Sequence, residues 1–427
     1  MSDAGLGGAG LGAGLGVGPY AELRFDAEGD VDPAGRAAVA RLDATDLLVF
    51  SHGWNSERST ATRLYARFFA PFPGLVRPAV RLGYVGVVWP SIRFADEPIP
   101  DFELRGPEGR GDAAEEAGLD TETRRALGEF WPGHETELDR ISELLVQRPE
   151  SAADIAEFGL LVRALAGLPA ADGIGGAEEP VPALFGGDAA VSCRALGDGL
   201  AEAGREGPGA LWDGGKELLR QATYHRMKKR AGVVGERGLG PVLTDLSRGC
   251  PDLRVHLIGH SFGARVVAFA LRAVPDGWDF VRSLTLLQGA FSHYAFAERL
   301  PHDQGRSGAL AGLQRRVRGP VVSCYSQHDS ALKVFYPLAS RMAGDSAGFA
   351  GFDARWGAMG HDGIQAVPGA ARLALDAVLR GGMPEAGCVS VDAAAVVRRG
   401  GAPSGAHSDI CHEELARVVV AAGRMGR

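Results

Sequence analysis

The chain has 427 residues, beyond the size at which a single hydrophobic core usually stops growing, so one large domain with an insertion, or two domains, is expected. Hydrophobic residues make up 45% and charged residues 23%, and the formal net charge is −8, which argues against nucleic acid or an anionic membrane surface as a partner. The five cysteines (Cys193, Cys250, Cys324, Cys388, Cys411) form no Cys-x-x-Cys pair, which argues for a reducing compartment and against structural zinc.

Residues 1–18 repeat Gly and Ala without the basic start and long apolar core of an export signal, and read as a flexible tail. No apolar run is long enough to span a bilayer, so the protein is expected to be cytoplasmic and without stable membrane insertion. A first strand is predicted at Tyr20–Phe25. Asp32-Pro33 then supplies an N-cap and a first-turn proline for a helix ending near Leu42. Leu47–Phe50 is a short uninterrupted apolar run, the mark of a strand buried on both faces of a parallel sheet. It leads into His52-Gly53-Trp54-Asn55, a helix over Arg58–Phe69 and a second buried strand, Tyr84–Trp89.

The strand signal then vanishes over 93–210. Helical spacing recurs at Leu138, Ile141, Leu144 and Leu145, and again at Ile155, Phe158, Leu161 and Leu165. This stretch reads as a helical insertion, a candidate cap, with Gly/Pro-rich joints and an acidic run at Asp112–Asp120 that is expected to be solvated. A strong helix pattern follows over Leu211–Leu246, with Lys228-Lys229-Arg230 on its exposed face. Further strands are predicted at Val255–Ile258, Leu284–Leu287, Val321–Tyr325 and Val389–Val391. Helices are predicted at Phe262–Val274, Ala331–Met342, Gly369–Leu379 and Glu413–Ala422. Strands alternating with helices imply an α/β protein with a mostly parallel, doubly wound sheet, whose ligands bind at the carboxyl ends of the strands.

The chemistry concentrates at those ends. Gly259-His260-Ser261-Phe262-Gly263 lies between a predicted strand and a predicted helix. That context holds Ser261 on a sharp turn with its side chain exposed, and the small flanking residues let neighbouring backbone pass close by. A serine hydroxyl needs a base to take its proton, an acid to orient the base and donors for the developing oxyanion. The expected donors are the backbone N–H of Phe262 and that of Trp54, with Gly53 permitting the approach. The expected acid is Asp329, one short loop beyond a strand, where it can also cap the following helix. Among the histidines, chain order favours His407 as base, with His361 the alternative and His412 a weaker third. His52, Asn55 and His361 are expected to line the site, His260 to pack beneath the turn, and His328 to be structural.

In chain order these residues resemble the motifs of the α/β-hydrolase superfamily. Trp89-Pro90-Ser91, and the helix containing Thr223-Tyr224 and Met227–Arg230, resemble a bacterial serine hydrolase of the esterase/lipase-like type. The resemblance implies a hydrolase core formed by 19–92 and 211–427. It implies cleavage of the ester, thioester or amide of a small-molecule acyl substrate through an acyl-enzyme on Ser261, with His407 moving the proton and Asp329 orienting it. No metal or organic cofactor is implied. A binding module on a hydrolase scaffold, or an acyltransferase, are the alternatives.

Overall fold

The structure is a computed structural model and describes residues 16–53, 58–91, 118–168, 183–202, 210–332, 357–401 and 405–426. The buried apolar runs are its strands: β1 (Tyr20–Arg24), β2 (Asp46–Ser51), β3 (Leu82–Val88), β4 (Arg254–His260), β5 (Val281–Leu287) and β6 (Pro320–Tyr325). They are joined by β7 (Ala371–Ala374) and β8 (Gly387–Asp392) in one eight-stranded sheet of order β1-β3-β2-β4-β5-β6-β8-β7. Every pairing is parallel. β2 and β4 are neighbours, with Ser51 in register with Gly259. From β2 the chain proceeds to β3 on one side; from β4 it proceeds to β5 on the other. The connections therefore leave in opposite directions and open a crevice at the carboxyl ends of β2 and β4, where parallel sheets bind ligands.

The helices cover both faces. α1 (Pro33–Ala40) starts at the predicted cap, where the Asp32 carboxylate accepts from the Ala34 N–H at 3.2 Å. α2 (Arg58–Phe69) buries Leu64, Tyr65, Phe68 and Phe69, and the ring of Phe68 lies 4.6 Å from that of Phe50 on β2. Next come α3 (Thr121–Phe130), α4 (Glu135–Gln147), α5 (Ala152–Leu165) and α6 (Ala189–Glu202). Leu127, Leu138, Ile141 and Phe158 from this stretch join one continuous core with Val49 and Leu257 of the sheet. α7 (Ala210–Val233) passes through a π-helical turn, Val234–Leu239, into α8 (Gly240–Gly249). Pro241 explains the widened turn: it has no N–H for a carbonyl four residues back, and its ring would clash there. α9 (Phe262–Ala270), α10 (Leu375–Leu379) and α11 (Glu413–Ala422) follow, with single helical turns at Phe72–Leu75, Ala183–Gly186 and Met359–Asp362. Among the described residues no helix is long and apolar enough to cross a membrane.

Three expectations need correction. Gly369–Leu379 is not one helix: Ala371–Ala374 forms the edge strand β7, paired with β8 from Ala371↔Val389 to Ala374↔Asp392. Its Ala-Arg-Leu-Ala sequence favours a helix locally, but the open edge of β8 offers a ladder that overrides propensity. Arg230 does not sit on a solvated face: it is partly buried, donates to the Pro90 carbonyl at 3.1 Å and stacks over the Phe130 ring at 4.4 Å. Burial pushes its pKa down to about 10. Val17, assigned to the tail, is buried in the core formed with Tyr20 and Leu48. Residues 1–15, most of the acidic run, much of both Gly/Pro-rich joints and the predicted helix from 333 onward lie outside the described residues.

Candidate active site

Ser261 stands between the last residue of β4 and the first of α9, with φ 55° and ψ −121°. A non-glycine residue held there stores strain of about 1–3 kcal/mol, which persists only where the surroundings impose it. The surroundings do so. A Cβ on Gly259 would lie 2.3 Å from the Gly263 carbonyl oxygen, and one on Gly263 would lie 2.1 Å from that of Ser51. Only glycines allow α9 to pack back onto β4 and β2 this closely. Backbone bonds finish the turn: the Ser261 N–H donates to Leu287 O, and its carbonyl accepts from the N–H groups of Ala264 and Ala290.

The structure brings Ser261, His407 and Asp329 together. Nε2 of His407 is 2.9 Å from Ser261 Oγ, and its Nδ1 is 2.7 Å from Asp329 Oδ2. A carboxylate only accepts, so Nδ1 carries the imidazole proton; Nε2 then accepts from the serine hydroxyl. Asp329 is fully buried, and its Oδ1 accepts from the Leu332 N–H at 3.0 Å, so it caps a helical turn while holding the imidazole. The loop bearing His407 is tied to the loop bearing Asp329 by the Ala406 N–H donating to His328 O. His361 makes neither contact. It lies in a one-turn helix, Met359–Asp362, with Nδ1 buried and without a partner among the described residues, and Nε2 4.0 Å from Asp362 Oδ1. His412 bonds Asp409 at 2.8 Å in the turn that starts α11.

One expectation differs here. Turn geometry alone predicts an exposed serine, but Ser261 is only 4% accessible. The His407 imidazole bonds its hydroxyl, and Gly53 stands so near that a Cβ there would be 2.6 Å from Ser261 Cβ and 3.2 Å from Oγ.

No family model, curated protein or solved structure matches the chain.

The loop after β2 is braced from three sides. The His52 N–H donates to Tyr65 Oη, which donates to Val87 O at 2.5 Å. The Trp89 indole N–H donates to the His52 carbonyl at 3.1 Å, and the two rings stack at 5.6 Å and 10°. Burial pushes the His52 pKa down to about 4. The neutral ring carries its proton on Nδ1, 2.9 Å from Gly53 O, and offers Nε2 to the Trp89 N–H at 3.4 Å. His52 is thus a brace of the loop beside the serine. Trp54 and Asn55 lie outside the described residues. Phe262 is the first residue of α9, so its backbone N–H belongs to the first turn of that helix, directly after Ser261.

Sequence reasoning missed two features. His260 does pack under the turn, but its Nε2 lies 2.8 Å from the carbonyl oxygen of His407. Its partner is a backbone atom of a distant loop, and no side-chain pattern announces such a bond. Gln288 follows β5 with φ 44°, is fully buried, and neither polar atom of its side chain has a hydrogen-bond partner among the described residues. Among the described residues no His, Cys, Asp or Glu cluster is arranged to hold a metal ion.

Proposed function

We propose that this chain is a serine hydrolase of the α/β-hydrolase type, which cleaves a carboxylic ester, thioester or amide through an acyl-enzyme on Ser261. The observation that carries this reading is the hydrogen-bonded chain Ser261–His407–Asp329 set on a strained strand-to-helix turn. A serine that needed only to pack or to bond would not require φ 55° or a base within 2.9 Å.

In this reading Nε2 of His407 takes the hydroxyl proton as Ser261 Oγ attacks the acyl carbon. Asp329 keeps the imidazole in the required tautomer and stabilises the cation that forms. The oxyanion falls at the amino end of α9, with the Phe262 N–H as one donor and the loop begun by His52-Gly53 supplying the second; each such donor contributes about 3 kcal/mol. His407 then returns the proton to the leaving group. Water repeats the sequence to release the acid.

A fluorophosphonate probe tests this directly. The intact protein is expected to be labelled once, on Ser261, and Ser261→Ala to resist labelling. An unreactive wild-type protein, or equal labelling of the variant, removes the proposal.

A further inference from the structure

We propose that His260 is a positioning residue that holds the base in place by donating Nε2–H to the carbonyl oxygen of His407; the inference rests on the reading of Ser261–His407–Asp329 as a reactive chain. His260 is the last residue of β4, immediately before Ser261, so the same rigid strand end carries both the hydroxyl and the donor that reaches the base's backbone. The bond measures 2.8 Å, and the two imidazole rings are 5.0 Å apart and tilted by 43°. A carbonyl only accepts, so the proton sits on Nε2 of His260.

His260 is buried at 3% accessibility, and burial, reinforced by the neighbouring His407, pushes its pKa down to about 3. It therefore stays neutral when the neighbouring imidazole becomes a cation, and adds no second charge beside it. An uncharged donor of fixed tautomer suits a group that must position the base without competing for its proton. Ala406 N–H to His328 O anchors the His407 loop to the loop of the acid, and Asp409 ties it to the N–H groups of Arg398 and Arg399. The His260 bond leads directly to the nucleophile's own strand. It sets the distance between Oγ and Nε2, the coordinate along which the proton moves. An angstrom of error there lowers the rate about 100-fold.

The test compares wild type, His260→Leu and His260→Gln by fluorophosphonate labelling and by NMR of 15N-histidine-labelled protein. Gln retains an N–H donor at about the reach of Nε2; Leu does not. His260→Leu is expected to lose about 100-fold in the inactivation rate constant, with unchanged probe affinity and full final stoichiometry. His260→Gln recovers most of that loss. A merely structural role would lower the labelled fraction and leave the rate per labelled site unchanged, and that result, or wild-type rates in both variants, overturns the proposal. NMR keeps the two readings separate. The His407 Nδ1–H resonance, downfield from its bond to Asp329, is expected in wild type and His260→Gln and to be lost or shifted in His260→Leu. If wild type fails to label, the hydrolase reading falls, and an unaltered His407 resonance in His260→Leu still overturns the tether by itself.

Discussion

Ser261 Oγ and His407 Nε2 lie 2.9 Å apart although 146 residues separate them. The same three residue types meet a second time in this fold, and the contrast identifies what matters. His256 on β4 bonds Ser283 on β5 through Nδ1 at 2.9 Å and Asp46 on β2 through Nε2 at 3.1 Å. That chain sits at the amino end of the sheet, wholly buried, with Ser283 inside β5 and Asp46 clasped by Nε and Nη2 of Arg254. It has no strained turn and no helix start beside its hydroxyl. One set of residues stitches strands together; the other carries the features nucleophilic chemistry needs.

Loss of either Ser261 or His407 is expected to reduce kcat/KM for an activated ester by on the order of 10⁶, since the two act as a unit, and Asp329→Asn by on the order of 10⁴. His361→Ala should keep most of the activity, because its ring bonds neither Ser261 nor Asp329. Burst kinetics check the assignment: a burst surviving in His407→Ala but lost in His361→Ala would reverse it.

Gly53→Ala should damage both stability and rate. The added methyl would sit 2.6 Å from Ser261 Cβ, so the loop after β2 or the elbow must move. A displacement near an angstrom is expected to slow labelling about 100-fold. Labelling at the wild-type rate with an unchanged melting temperature would show that this loop has slack.

The Ser283–His256–Asp46 cluster is expected to affect folding and leave chemistry alone. Burial alone would raise the Asp46 pKa, but bonds from His256, Arg254 and Thr45 hold it well below the usual carboxylate range. Asp46→Ala strands these donors and should cost about 3 kcal/mol, the lower edge for breaking a buried pair because Arg254 is 38% accessible. Urea denaturation measures the loss. The labelling rate of the folded fraction should match wild type, and a large drop would mean that the two clusters are coupled.

Acid should destabilise the fold through its buried neutral histidines. Burial holds His52 at about 4 and His260 at about 3, against 6.5 ordinarily. As pH falls below 6.5 the unfolded chain binds protons that the folded protein refuses, so stability drops by up to about 1.4 kcal/mol per pH unit for each histidine. The loss continues to about pH 4 for His52 and about pH 3 for His260. Calorimetry across this range should give a shallower slope for His260→Gln than for wild type. Equal slopes would mean that His260 protonates in the folded state.

Much of this molecule was legible in the chain because it depends on neighbours in sequence. Continuous apolar runs such as Leu47–Phe50 and Val255–Ile258 became the central strands, since only a strand covered on both faces can bury every side chain. Asp32-Pro33 began a helix because capping is local, and Gly259–Gly263 marked the turn because the close backbone contacts there exclude a Cβ. What sequence could not rank depended on contacts between distant segments. Ala371–Ala374 became a strand only because β8 presented an edge. Arg230 left solvent only because Pro90 and Phe130 met it. Chain order favoured His407 over His361, but it took the packing of the loop after β8 onto the loop after β6 to bring the His407 imidazole to Ser261. Local sequence determined where the strained serine stands. Chain order pointed to the imidazole that reaches it; the tertiary structure set the contact itself and alone decided which backbone atom His260 holds, because hydrogen bonds between loops obey distance in space, which chain spacing does not encode.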